Sequence, residues 1–62
     1  MISLTKIDGN KIMVNAEEIE TIETSHDTIV TLKSNRKIVV RETDEQIRQL
    51  TIEYKKEFHS LK

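Results

Sequence analysis

Apolar and polar positions along the 62 residues mark out a series of short strands and one helix. Ile2 to Ile7 reads as a first strand, and Lys11 to Val14 returns antiparallel to it. Between them, Asp8-Gly9 is a two-residue hairpin signal, because a type I′ turn needs positive φ values that Gly and Asp tolerate. Farther on, Thr28 to Leu32 and Lys37 to Arg41 are β-branched runs on either side of Lys33-Ser34-Asn35-Arg36, which predicts a second hairpin. Val30 and Leu32 share one face, as do Ile38 and Val40, while Ile29 and Val39 point the other way. The second face therefore needs a cover, from a subunit partner or a neighbouring hairpin.

Asn15 can cap a short turn through Ala16-Glu17-Glu18 by accepting a backbone N–H two or three residues on. The spacing of Ile19 and Ile22 is three, which fits a helical turn or a bulge better than strict alternation. Ile19 to Glu23 is assigned as an edge strand, followed by turn chemistry in Thr24-Ser25-His26-Asp27.

The period lengthens after Glu42. Thr43-Asp44-Glu45-Gln46 matches a capping box, and Asp44 and Glu45 suit the positive end of a helix dipole, as Lys55, Lys56 and Lys62 suit the negative end. Ile47, Leu50, Tyr54, Phe58 and Leu61 fall within an arc of about 80° on such a helix. They make one apolar stripe. Ile52 lies about 140° from Ile47 and is either exposed or a second contact. The expected fold is α+β: a small antiparallel sheet of about four to five strands in two hairpins, then one C-terminal amphipathic helix, in a single domain over residues 1–62.

Composition narrows the function. So short a chain has a limited core, and with no cysteine it has neither a disulfide nor a thiolate metal site to staple it. Self-association or docking to a larger partner is expected. The formal net charge of -1 gives no global field for polyanions, so no nucleic-acid partner is expected. No apolar run reaches the roughly 20 residues of a membrane span, and residues 1–6 lack a signal peptide's layout, so the expected location is cytoplasmic.

Catalytic chemistry is sparse. Ser25-His26-Asp27 contains the residue types of a triad, but three consecutive turn residues diverge rather than converge. His26 and His59 are the only histidines, without metal-ligand spacing, and a single Gly rules out a glycine-rich phosphate loop. No cofactor is expected. Glu17, Glu18, Glu20 and Glu23 read as a solvated strand face, and Lys33, Arg36, Lys37 and Arg41 as a basic cluster of opposite sign. Asp8, Gly9, Asn15 and Thr43 are assigned turn and cap roles, leaving Ile52, Tyr54, Phe58, Leu61, Arg36, Lys37 and Arg41 as candidate interaction residues.

Leu4-Thr5-Lys6-Ile7-Asp8-Gly9, Val14-Asn15-Ala16-Glu17-Glu18-Ile19-Glu20-Thr21-Ile22-Glu23, Asp27-Thr28-Ile29-Val30-Thr31-Leu32 and Val39-Val40-Arg41-Glu42-Thr43 together resemble the FlbD family of small flagellar proteins, called SwrD in swarming Firmicutes. The likeness spans essentially the whole chain and is loosest in the helix. It departs from the family at His26, where Pro is common, and at Ser34-Asn35-Arg36, where an Asn-Gly turn is common. Asn35 must then supply any positive φ.

The resemblance implies a non-enzymatic cytoplasmic protein that promotes flagellar motor power and swarming motility. An interaction module at or near the motor or its stator is the expected mechanism, placing the chain at the flagellar base. The competing expectation is a nucleic-acid-binding regulator of flagellar genes, since strand pairs followed by a helix loosely resemble the LytTR DNA-binding domain.

Overall fold

A computed structural model describes the backbone of residues 1–60 and the side chains through Lys56. Five strands and one helix follow in order: β1 (Ile2–Thr5), β2 (Lys11–Val14), a 3-10 turn (Ala16–Glu18), β3 (Ile19–Thr24), β4 (Thr28–Leu32), β5 (Lys37–Val40) and α1 (Asp44–Ser60). The α+β fold expected from the sequence is present, with the strands divided between two antiparallel sheets, β1-β2 and β3-β4-β5. A bridge between Lys6 and Val40 joins the two. Around it, the Arg41 N–H donates to the Thr5 carbonyl at 2.8 Å and the Ile7 N–H to the Val39 carbonyl at 3.2 Å.

The first turn differs from the expected two-residue type I′ form. A type I′ turn needs positive φ at both central residues, but Gly9 alone has it here, at 94°. The Gly9 N–H donates to the Lys6 carbonyl and the Lys6 N–H to the Asn10 carbonyl, at 2.9 and 2.8 Å, making Ile7-Asp8-Gly9 a three-residue loop. This loop also shortens the first strand to end at Thr5. Asp8 contributes through its side chain, whose Oδ1 accepts the Asn10 N–H at 2.9 Å. That bond leads in holding the Asp8 carboxyl below its ordinary pKa.

The second hairpin repeats this closure. The Asn35 N–H donates to the Leu32 carbonyl and the Leu32 N–H to the Arg36 carbonyl, at 2.9 and 2.8 Å. Asn35, at φ 71°, takes the left-handed place that Gly9 takes in the first. Asn enters that region more readily than most residues.

The three-residue spacing of Ile19 and Ile22 is resolved by a register shift. Ile19 pairs with Leu32 and Thr21 with Thr31, so one residue bulges between them. The bulge lets both isoleucines pack against the core. The core itself comprises Ile2, Leu4, Val14, Ala16, Val30, Ile38, Val40 and Ile47, with Leu4, Val30 and Ile47 wholly buried. On the opposite face of the three-stranded sheet, Ile29 pairs with Val39 and both are half-buried.

The helix begins at the expected capping box. The Gln46 N–H donates to Thr43 Oγ1 at 3.1 Å, and the Thr43 N–H donates to Gln46 Oε1 at 2.8 Å. Two otherwise orphaned donors are thus satisfied reciprocally. Asn15 caps the 3-10 turn, its Oδ1 accepting the Glu17 N–H at 3.0 Å. α1 packs across β1 and β3 through Ile47, with Leu50 and Tyr54 half-buried behind it.

A groove between the helix and the edge strand

The bulge and the helix together create an open concavity. β3 is the outer strand of its sheet, and α1 crosses near it without closing the space between them. Ala16, Ile19 and Ile22 from the strand side and Ile52 from the helix give an open groove of about 560 Å³ an apolar lining. Asp44, Glu45, Arg48, Thr51 and Lys55 complete it with polar groups. Arg48 Nη1 lies 3.4 Å from Glu45 Oε1, the single ion pair among the described residues. Both partners are well exposed, so the pair adds little stability.

Ile52 therefore belongs to a second apolar contact, distinct from the stripe that includes Ile47. Tyr54 is half-buried and packs against the core, while the Phe58 side chain and Leu61 lie outside the described residues. Ala16, Ile19 and Ile22 were not among the expected interaction residues. The signal for them was the spacing of Ile19 and Ile22, which places both on the core side only once a bulge is allowed.

The basic residues divide. Arg36 and Lys37 are exposed and lie near Lys6, Ile7 and Asp8 of the first turn. Arg41 stands just past the far end of β5, which stops at Val40 rather than Arg41. Its guanidinium donates to the Ile7 carbonyl through Nε at 3.3 Å and Nη2 at 3.0 Å. Four residues at the rise of a strand separate Lys37 from Arg41 by about 13 Å. The basic residues are thus spread along the backbone, yet Arg36, Lys37 and Arg41 all border the first turn, which Arg41 also clamps.

Glu42 has a role that sequence spacing does not reveal. Its two carboxylate oxygens accept the Thr5 N–H at 2.8 and 3.0 Å. Burial pushes its pKa up, but the Thr5 hydrogen bonds and the Lys11 charge together hold it below the ordinary value.

Ser25, His26 and Asp27 are exposed in the β3–β4 turn, where the Ser25 N–H donates to the Asp27 carbonyl at 3.1 Å. Among the described residues no group of three His, Cys, Asp or Glu side chains is placed to hold a metal ion. No described helix is long and apolar enough to cross a membrane.

Fold and groove define a small two-sheet, one-helix α+β protein with an apolar cleft beside a sheet edge. A family model described as flagellar and swarming motility proteins, FlbD, matches residues 1–59. The chain belongs to the FlbD family, and membership associates it with flagellar and swarming motility. No curated protein and no solved structure matches it.

Proposed function

We propose that the chain is a non-enzymatic accessory protein that raises flagellar motor power, and so swarming, through protein–protein contact. Its place is the cytoplasmic side of the flagellar base, at or near the motor or its stator. The observation that carries this reading is the groove. Ile19, Ile22 and Ile52 are left half-exposed together beside the outer edge of β3, which has no strand partner among the described residues, in a chain whose family acts in flagellar motility. An apolar cleft of this kind gives a partner's side chains a place to be buried from water.

Crosslinking in cells from positions Ile52 and Arg36 tests the proposal. Capture of a motor or stator component from Ile52 supports it, and capture of no flagellar component would sink it. A salt-dependent shift of duplex DNA by the purified protein, joined to altered flagellar transcripts, would replace it with nucleic-acid regulation.

A further inference from the structure

We infer that the free edge of β3 accepts an extended, basic-and-apolar segment of a partner protein as a further antiparallel strand, seated along the groove. This rests on the reading of the chain as an interaction module and names the kind of segment it takes.

Backbone geometry supplies the first argument. β3 spans six residues, and among the described residues only β4 pairs with it. An edge strand offers a row of backbone donors and acceptors to an incoming chain, while alternate side chains of that chain find pockets beside it. Here the apolar lining from Ile19, Ile22 and Ile52 runs next to that edge, so a strand added to β3 can place apolar side chains on it.

Charge selects the occupant. Residues 12–25 contain Glu17, Glu18, Glu20 and Glu23 and no Lys, Arg or His. All four carboxylates are exposed, and none is in an ion pair among the described residues. The helix side of the groove adds Asp44, Glu45, Arg48 and Lys55, two charges of each sign, so the strand-side carboxylates set the balance. A second copy of the chain pairing here through its own β3 would bring four carboxylates, Glu20 and Glu23 of each copy, into one seam, with Glu17 and Glu18 of each in the turn at its end. Like charges across a strand pair destabilise it, whereas opposite charges favour it. The favoured segment therefore alternates Lys or Arg with Val, Ile or Leu.

The probe is a synthetic peptide of roughly six to eight residues alternating lysine and valine, long enough to match an ordinary strand. It is titrated into isotope-labelled protein and followed by amide chemical shifts at low ionic strength. The inference expects shifts concentrated in Ile19–Thr24 and at Ile52. It also expects a loss of affinity of roughly tenfold or more in the Glu20→Lys, Glu23→Lys double variant. N-methylation of alternate peptide amides should abolish binding, and a glutamate–valine peptide should not bind. Absence of shifts, shifts centred elsewhere, or equal binding of the N-methylated peptide would overturn it. So would a free protein that already dimerises through β3 at the same concentration. The outcome is separable from the flagellar reading: peptide binding can succeed when cellular crosslinking finds no flagellar protein, and the reverse also holds.

Discussion

Glu42 holds the Thr5 backbone N–H in a fork of two carboxylate oxygens, at 2.8 and 3.0 Å. This contact extends the pairing of β1 with the end of β5 and satisfies a donor that neither sheet ladder reaches. Glu42→Ala should lower stability by about 1 kcal/mol, the worth of a charge-assisted hydrogen bond reduced for its partial exposure. Urea unfolding at neutral pH checks this, and an unchanged midpoint would show the contact to be idle.

The same carboxylate predicts a pH dependence. Its folded pKa lies below the ordinary 4.5, so its contribution is present above that value. The contribution is lost as pH falls from 4.5 through the folded pKa, because the unfolded chain takes up the proton first. Stability of the natural chain should therefore drop in this acid range more than that of Glu42→Gln. Parallel slopes for the two proteins would contradict the assignment.

Gly9 and Asn35 should respond differently to alanine and to glycine. Gly9→Ala places a Cβ 3.7 Å from Arg41 Nη2, an ordinary contact, so its cost of about 1 kcal/mol comes from the positive φ. Asn35→Ala should also destabilise, whereas Asn35→Gly should be neutral or slightly stabilising. Thermal midpoints of the three variants decide it, and a destabilised Asn35→Gly would mean that the Asn side chain does more than tolerate the turn.

Ile47 and Ile52 separate packing from surface. Ile47 is wholly buried, and Ile47→Ala should cost about 2 to 5 kcal/mol, enough to unfold much of so small a protein. Ile52→Ser should cost under about 1 kcal/mol and leave the circular dichroism intact, because Ile52 is only half-buried. Loss of folding in Ile52→Ser would make the groove part of the core.

Thr31 carries a buried hydroxyl with no hydrogen-bond partner among the described residues. An unsatisfied buried polar atom is costly, so Thr31→Val should be neutral or stabilise by about 1 kcal/mol. Marked destabilisation would point to a partner for the hydroxyl.

Local signals were legible in the sequence. The Thr43–Gln46 box, the Asn15 cap and the left-handed Asn35 each depend on neighbours within three residues, and each is present. The first turn is ambiguous in the sequence because Asp8-Gly9 fits both a two-residue loop and a three-residue one. The choice falls to Lys6, which bonds Asn10 on one side and pairs with Val40 on the other. Arg41 and Glu42 were obscure for a related reason: their partners are Ile7 and Thr5, far away in sequence. The groove was half visible. Spacing separated Ile52 from the Ile47 stripe, but only the β3 bulge shows that Ile19 and Ile22 meet it.

The bridge between Lys6 and Val40 also governs how the chain can fold. β1 and β2 can meet early through a short loop, yet β1 stays unpaired on its other side until residues 39–42 reach it. Thr5 and Glu42 stand 37 positions apart, and bringing such distant residues together costs more chain entropy than closing either local hairpin. Closure of that seam, rather than formation of either hairpin, is therefore the step expected to set the folding rate, and Glu42→Ala should slow refolding if it does.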